Sequence, residues 1–187
     1  SCASRWVIDE PSARMRQCAT ATKWRFSLRL PAADVSVKVQ QEDFDPGAEI
    51  SALRKNNPKV GAVASFIGVV RDMNEGASVA DMTLEHYPGM TEKALEDIEA
   101  QAKSRWNIFD TRIIHRIGTL KPTDQIVMVA VSSAHRGEAF AACEFIMDYL
   151  KTAAPFWKKE STPHGARWVD ARVSDDAAMA RWKTGDK

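Results

Sequence analysis

The chain has 187 residues, of which 44% are hydrophobic, and this is enough for one globular domain with a buried core. Its formal net charge is only +1, so overall charge gives no footprint for a nucleic acid or an anionic membrane, and any anion site must be a local basic cluster. The apolar runs are too short to span a bilayer, no secretory pattern opens the chain, and the separated cysteines lack the spacing of a zinc site. We therefore expect a soluble, cytoplasmic protein without a metal or another cofactor.

The first 34 residues mix Arg, Ser, Ala and Trp without a sustained period. We predict that residues 1–34 are a disordered N-terminal extension, although their Arg-rich, acid-poor composition also fits a transit peptide. Regular patterns begin at Val35. The folded domain is therefore expected over residues 35–182, followed by a short tail at residues 183–187.

From Val35 onward, strand and helix patterns alternate along the chain. Alternating apolar residues and β-branched runs predict strands, whereas apolar residues three or four apart predict amphipathic helices. Proline and glycine mark the breaks between them. The predicted elements, in chain order, are a strand at 35–39, a helix at 45–53, a central strand at 61–70, a polar turn at 72–78, a strand at 82–86, a helix at 90–102, strands at 111–117 and 125–132, a helix at 136–151, a hairpin of strands 156–161 and 167–171 with its turn at 162–165, and a helical turn at 175–182.

The helix at 136–151 has an apolar face that we predict to be buried. The members of this face are Phe140, Cys143, Ile146, Met147 and Leu150. Because apolar burial raises the pKa of a thiol, we interpret Cys143 as a packed residue and not as a nucleophile.

The segment Ser132-Ser133-Ala134-His135-Arg136 is a candidate anion site, because it joins a predicted strand to the start of a helix. A helix start exposes backbone N–H groups and the positive end of the helix dipole, which attract phosphate. His135 and Arg136 add side-chain donors. Two exposed polar residues at an ordinary helix start remain the alternative interpretation.

A second candidate lies where the helix at 136–151 ends and the next strand begins. Lys151 and Lys158 flank a rigid Pro-Phe-Trp segment that is able to bring both ammonium groups to one pocket. Crowding of cations lowers the pKa of a lysine and makes it usable as an acid, a base or a nucleophile. The alternative is a solvated Lys-Lys-Glu surface with a lysine that only complements the helix dipole.

Arg71 is a third candidate, because it ends the apolar run 61–70 and precedes a flexible turn, where ligand sites often collect. A single arginine is weak evidence alone. We interpret His86 and His115 as hydrogen-bonded structural residues of strands and His164 as an exposed turn residue, so none of the three is assigned a role.

Five segments, taken together in their order and spacing, resemble the large, catalytic subunit of molybdopterin synthase. They are Leu84-Glu85-His86-Tyr87-Pro88-Gly89-Met90, His115-Arg116-Ile117-Gly118, Ser133-Ala134-His135-Arg136, Met147-Asp148-Tyr149-Leu150-Lys151 and Pro155-Phe156-Trp157-Lys158. The resemblance covers roughly residues 35–182. Several separate motifs in one chain are far more specific than any single motif.

The resemblance implies an α+β fold, an α/β hammerhead with an added antiparallel β-hairpin subdomain. It also implies a homodimer flanked by two copies of a small ubiquitin-like sulfur carrier. The carrier ends in a Gly-Gly thiocarboxylate and delivers sulfur to cyclic pyranopterin monophosphate, or precursor Z, so that two transfers make the dithiolene of molybdopterin. An enzyme using its own persulfide would need an exposed, activated thiol, so the sulfur is expected to come from the carrier.

The resemblance further implies roles for individual residues. Lys151 lies beside the terminal glycine of the carrier, and Lys158 assists ring opening and proton transfer. The substrate-binding residues implied are Val69, Val70, Arg71, His135, Arg136, Lys159 and Glu160. These basic residue types suit a pocket that must hold a phosphate and a thiocarboxylate together.

Two other classes of function fit the sequence less well. A phosphoryl-transfer enzyme would need a phosphate-binding glycine loop or acidic metal ligands, and the nine glycines form no such pattern. A scaffold or RNA-binding module would need a broad basic surface with exposed aromatic residues, which the near-neutral composition does not favour.

Overall fold

A computed structural model of the chain describes residues 35–74, 77–78, 80–162, 165–169, 178 and 180–182. These residues form two four-stranded sheets, a two-stranded ribbon and three helices. The elements in chain order are β1 (Val37–Gln40), α1 (Pro46–Arg54), β2 (Ala62–Val69), β3 (Met73–Asn74), β4 (Ala77–Ser78), β5 (Asp81–His86), α2 (Met90–Arg105), β6 (Ile108–Arg116), β7 (Gly118–Leu120), β8 (Gln125–Ser133), α3 (Arg136–Thr152), β9 (Phe156–Thr162) and β10 (Gly165–Val169).

The sequence patterns identified the principal strands and helices to within a few residues, and the hairpin of β9 and β10 is confirmed. The segment 72–78, predicted as a polar turn, contains the short ribbon of β3 and β4. The predicted N-terminal extension, the C-terminal tail and His164 lie outside the described residues. Of the predicted helical turn at 175–182, the described residues Ala178, Ala180 and Arg181 are helical.

The first sheet has the strand order β1, β6, β8 and β2, and only the β1–β6 pair is parallel. Successive residues of a strand point to opposite faces, and both faces of the inner strands β6 and β8 are covered. Val129 of β8 and Ile113 of β6 lie in the larger core with α2 and α3, whereas Met128 and Ile114 lie in the smaller core with α1. Burial on both faces explains why β8 is a continuous apolar run.

Polar contacts fix the first turn of α1. The Asp45 carboxylate caps its start by accepting hydrogen bonds from the Gly47 and Ala48 N–H groups at 2.8 and 3.2 Å. Farther along, the Glu49 carboxylate lies 3.0 Å from the buried Arg112 guanidinium of β6. Arg112 also donates to the carbonyl of Val35, so this cation is held between α1 and the segment before β1.

The run 61–70 was predicted as a central strand, and this prediction is wrong, because β2 is an outer strand of the first sheet among the described residues. Its second half exposes Phe66, Ile67 and Val69 on both faces. The apolar composition that suggested a central position therefore marks an exposed edge. Such an edge is typical of a surface that another chain covers.

Phe140 was predicted to be buried in α3, and this is also wrong, since it is 65% exposed. The other four predicted members of the apolar face are buried, as is Phe145. Helical spacing defines the direction of an apolar face but not how far the neighbouring sheet extends beneath it. Phe140 therefore adds a further exposed apolar side chain, on a helix that packs against β8 and the outer strand β2.

The second sheet is antiparallel throughout, with the order β10, β9, β5 and β7. It joins the body of the protein through a small apolar cluster of Val70, Leu84 and Leu120. Because Leu84 lies directly opposite Lys158 in the β5–β9 pair, this cluster places the middle of β9 near the end of β2. None of the helices formed by the described residues is both long and apolar enough to cross a membrane.

Candidate active site

Lys158 stands on β9 among side chains that anchor this strand to the first sheet. Two residues earlier, Phe156 stacks on the imidazole of His115, with ring centroids 3.7 Å apart. Alternation along the strand places Phe156, Lys158 and Glu160 on one face. Lys158 is half-buried and Glu160 is only 2% exposed, so this face turns toward the protein.

Lys159 lies on the opposite face of β9 from Lys158. Its ammonium group sits 5.5 Å from the ring centroid of Trp168 on β10, and Trp157 and Trp168 are both about half exposed. The structure therefore does not bring Lys159 and Lys158 to the same face, although the family resemblance implies that both belong to one site. Glu160 shares the face of Lys158, but its burial leaves little surface for a ligand.

Lys151 lies in the last turn of α3 and is exposed. Only three residues separate the end of α3 from the start of β9. This turn is fixed by backbone bonds, in which the Ala153 N–H donates to the Tyr149 carbonyl at 2.7 Å and the Phe156 N–H donates to the Ala154 carbonyl at 2.8 Å. The short connection keeps Lys151 next to the first residues of the strand that carries Lys158.

Val69, Val70 and Arg71 lie at the end of β2. The backbone of Val70 is fixed on both sides, because its N–H donates to the Asp124 carbonyl and its carbonyl accepts from the Thr123 N–H, each at 2.9 Å. Val70 is buried, whereas Val69 and Arg71 are exposed. Since Val70 packs against Leu84, the exposed Arg71 follows directly after a residue anchored beside the Lys158 strand.

His135 and Arg136 form the start of α3 and are both exposed. His135 occupies the N-cap position, where its side chain makes no capping hydrogen bond to the helix. The preceding Ser133 supports the turn, since its hydroxyl lies 3.0 Å from the Glu138 carboxylate and 3.4 Å from the His135 N–H. The helix start thus presents backbone donors and two side chains that are able to bind an anion.

The predicted site residues fall at two ends of the first sheet. Ala62 of β2 pairs with Ser133 near His135, whereas Val69 pairs with Gln125 at the other end of the same strands. At about 3.3 Å per residue, the length of β8 separates the two ends by about 25 Å. We call Arg71, Lys151 and Lys158 the lysine end, and His135 with Arg136 the helix-start end. Within one chain, the structure does not bring the two ends together.

Cys143 is buried, as predicted, and contacts the larger core. Burial, with a smaller contribution from the neighbouring Glu144 charge, raises the pKa of its thiol to about 11. At neutral pH the thiol is therefore protonated and enclosed, which is the opposite of an activated sulfur nucleophile. Among the described residues, no cluster of three or more His, Cys, Asp or Glu side chains is arranged to hold a metal ion.

His115 was assigned only a structural role from the sequence, yet it is the residue against which the Lys158 strand packs. The signal in the sequence was the motif His115-Arg116-Ile117-Gly118, which carried part of the family resemblance. Without the packing of β6 against β9, nothing in the local pattern connects this histidine with a lysine located much later in the chain.

Comparison with known proteins gives a consistent result. A protein-family model described as MoaE protein matches residues 39–153. The molybdopterin synthase catalytic subunit of Ralstonia nicotianae is 67% identical over 147 residues, which cover 79% of this chain and 84% of that protein.

Solved structures agree with the sequence relatives. The molybdopterin biosynthesis MoaE protein from Burkholderia ambifaria is 63% identical with a TM-score of 0.69, and the match covers 79% of this chain and 97% of that chain. A molybdopterin synthase chain from Staphylococcus aureus is 33% identical with a TM-score of 0.66, covering 71% of this chain and 95% of that chain. The likeness therefore extends over nearly the whole of each solved chain.

Proposed function

Because the chain belongs to the MoaE protein family, with molybdopterin synthase catalytic subunits among its relatives, we propose that it transfers sulfur to precursor Z. The donor is the C-terminal Gly-Gly thiocarboxylate of a small ubiquitin-like carrier, and two transfers complete the dithiolene of molybdopterin. The reaction takes place in the cytoplasm. The arrangement of two four-stranded sheets and three helices fits an α/β hammerhead with an added β-hairpin subdomain.

The observation that carries this proposal is that the elements carrying Arg71, Lys151 and Lys158 all reach the lysine end of the first sheet. Lys158 is half-buried beside apolar and aromatic groups, while Lys151 and Arg71 are exposed at the rim. Both reactants are anionic, because precursor Z bears a phosphate and the carrier tail ends in a thiocarboxylate. A partly desolvated cation among exposed ones stabilises such a pair more strongly than an open surface does.

We assign the chemical roles by position. Lys151, on the exposed helix end, meets the terminal glycine of the carrier, and Lys158 assists ring opening and proton transfer. Arg71 binds the substrate, with Val69 and Val70 supplying the adjoining wall. Lys159 contacts the substrate only at the outer edge of the second sheet, and Glu160 supports the Lys158 face from below.

His135 and Arg136 bind the substrate molecule that sits at the lysine end of a second copy of the chain. They lie about 25 Å from the lysine end of their own chain, since the length of β8 separates the two ends. The exposed apolar side chains Phe66, Ile67 and Phe140 offer a surface for that second copy. In the resulting homodimer, each pocket combines the lysine end of one chain with the helix-start end of the other.

The test of this function is sulfur transfer by purified variants. Lys151→Ala and Lys158→Ala are expected to lower the rate of molybdopterin formation from precursor Z and thiocarboxylated carrier by more than about a hundredfold. Neither side chain belongs to a core cluster, so circular dichroism and thermal unfolding should stay close to those of the unaltered protein.

Lys55→Ala provides the matched control, because Lys55 is an exposed lysine at the end of α1, on the other face of the first sheet from α3. It should leave the rate unchanged. Full activity of either active-site variant would refute the lysine assignment. Failure of the unaltered protein to convert precursor Z would refute the proposed function itself.

A further inference from the structure

His115 is a polar residue placed in the floor of the larger core. It lies near the end of β6, directly between Val39 of β1 and Val127 of β8, and is only 2% exposed. Both valines pack in that core. Burial of an imidazole among apolar side chains destabilises the folded state unless its ring nitrogens form hydrogen bonds. The presence of His115 here therefore needs a physical explanation.

The protonation state of His115 follows from its contacts. Nδ1 lies 2.8 Å from the carbonyl oxygen of Arg116, and because a carbonyl only accepts, Nδ1 carries the proton. Burial, assisted by the nearby Lys158 and His86, lowers the pKa of this imidazole to about 3 despite the hydrogen bond to Arg116. The ring is therefore neutral at physiological pH, and Nε2 keeps its lone pair.

The same ring touches the strand that carries Lys158. It stacks on Phe156 at 3.7 Å with an interplanar angle of 16°, and Phe156 shares a face of β9 with Lys158. On the neighbouring strand, His86 lies directly opposite Phe156, with its Nε2 3.6 Å from the Glu92 carboxylate. Lys158 and His86 are thus the titratable groups that face His115 from the second sheet.

We propose that His115 is the positioning residue for Lys158, holding β9 by its stacked ring and presenting the unprotonated Nε2 as an acceptor beside the ammonium group. The stack on Phe156 and the hydrogen bond from Nδ1 to the Arg116 carbonyl favour one orientation of the ring and of its two nitrogens. The lysine is therefore held in one orientation toward the substrate. This inference rests on the proposed function, because it takes Lys158 to be an active-site residue.

The test separates the contribution of the stacked ring to activity from the contribution of the Nε2 acceptor. His115→Phe keeps an aromatic ring against Phe156 but removes the acceptor, and it should lower kcat by about tenfold to a hundredfold while changing KM for precursor Z little. His115→Gln returns an acceptor near the position of Nε2 and should recover part of the lost kcat. An unchanged kcat in His115→Phe would overturn the proposal.

Ile114→Ala is the matched control for a loss of stability. Ile114 is the adjacent, fully buried residue of the same strand, but it packs on the α1 face of the sheet. It should lower the melting temperature and leave kcat unchanged. If Ile114→Ala lowers kcat as much as His115→Phe, the effect is merely structural and the proposal fails.

A measurement on the unaltered protein keeps the inference testable if His115→Phe does not fold. The ¹⁵N shifts of the His115 ring should report a protonated Nδ1 and an unprotonated Nε2 at neutral pH, and Lys158→Met should shift the Nε2 resonance. A protonated Nε2, or an Nε2 resonance that is unchanged in Lys158→Met, would overturn the proposal. An inactive Lys158→Ala with a fully active His115→Phe would reject this inference alone, whereas a fully active Lys158→Ala would reject the lysine assignment.

Discussion

Individual side chains in this protein owe their chemical state to burial and to specific partners. The Glu99 carboxylate of α2 shows how burial and hydrogen bonds act on a pKa in opposite directions. Burial alone raises its pKa, but hydrogen bonds from Lys103, Thr111 and Ser36 outweigh burial and leave the pKa lowered. The same carboxylate therefore ties α2 to β6 and to the segment before β1.

His115 makes folding sensitive to mild acid. Its pKa is about 3 in the folded protein against 6.5 for the ordinary group, so the unfolded chain binds a proton first as the pH falls. The free energy of unfolding should thus decrease by about 2 kcal/mol from this group between about pH 7.5 and about pH 5. Urea unfolding of the unaltered protein and of His115→Phe at both pH values measures the contribution as the difference between their pH dependences.

The lowered Glu99 pKa adds a loss of stability with falling pH in both proteins, and the comparison cancels it. If both proteins lose the same stability over this range, His115 is not the group that links folding to pH.

The sequence indicated candidate site residues but not how they are grouped in space. Arg71, Lys151 and Lys158 were each found from local signals, and the structure places them at one end of the sheet. The separation of His135 and Arg136 from them follows from strand register, which depends on pairing between β2 and β8 and leaves no local signal.

Elements close to the site depend on tight backbone contacts. At Gly61, just before β2, an added Cβ would lie 2.3 Å from the carbonyl oxygen of Ala134, which directly precedes His135. The Gly61 N–H donates to the Ser133 carbonyl at 3.0 Å, so the two segments are held together at this point. A side chain here must displace the turn that leads into α3.

Gly61→Ala is therefore expected to reduce stability by about 1 to 3 kcal/mol and to raise KM for precursor Z, because the displaced turn carries His135 and Arg136. Thermal unfolding and steady-state kinetics measure the two effects. Gly137→Ala is the control, since an added Cβ at this helical position meets no atom within 4 Å and should leave stability equal or slightly increased. Equal behaviour of the two variants would contradict the argument.

At the level of elements, sequence periodicity predicted whether a segment is a strand or a helix better than it predicted where that element lies in the fold. Strong signals, such as the alternation that predicted β1 and the helical spacing that predicted α3, gave the right type of element. The position of β2 at the outside of the sheet was missed because an apolar strand has the same sequence whether a neighbour in its own chain or another chain covers it. Phe140 was misplaced for a related reason, since helical spacing does not report where the supporting sheet ends.

The whole molecule is organised by the length of the first sheet, which separates the lysine end from the helix-start end. In the proposed dimer, two-fold symmetry pairs the lysine end of each chain with the helix-start end of its partner. Mixing Lys151→Ala with Arg136→Ala chains should therefore create one intact pocket in every mixed dimer. With random exchange, about a quarter of the unaltered activity is expected from two nearly inactive proteins.

The matched control is a mixture of Lys151→Ala with Lys158→Ala chains, which alter the same end and should regain no activity. Sulfur transfer after subunit exchange measures both mixtures. An absence of recovery in the first mixture, with exchange verified by mass spectrometry, would show that each pocket is built by a single chain.

The separation of the two ends also has a consequence for inheritance. A copy altered at one end, paired with a normal copy, leaves one pocket of the mixed dimer intact, so such an allele should be recessive. In a copy altered at both ends, each altered end inactivates one of the two pockets. A mixed dimer of this copy with a normal copy therefore has no working pocket. Two substitutions that restore one pocket when they lie on different copies should therefore inactivate both pockets of a mixed dimer when they lie on the same copy.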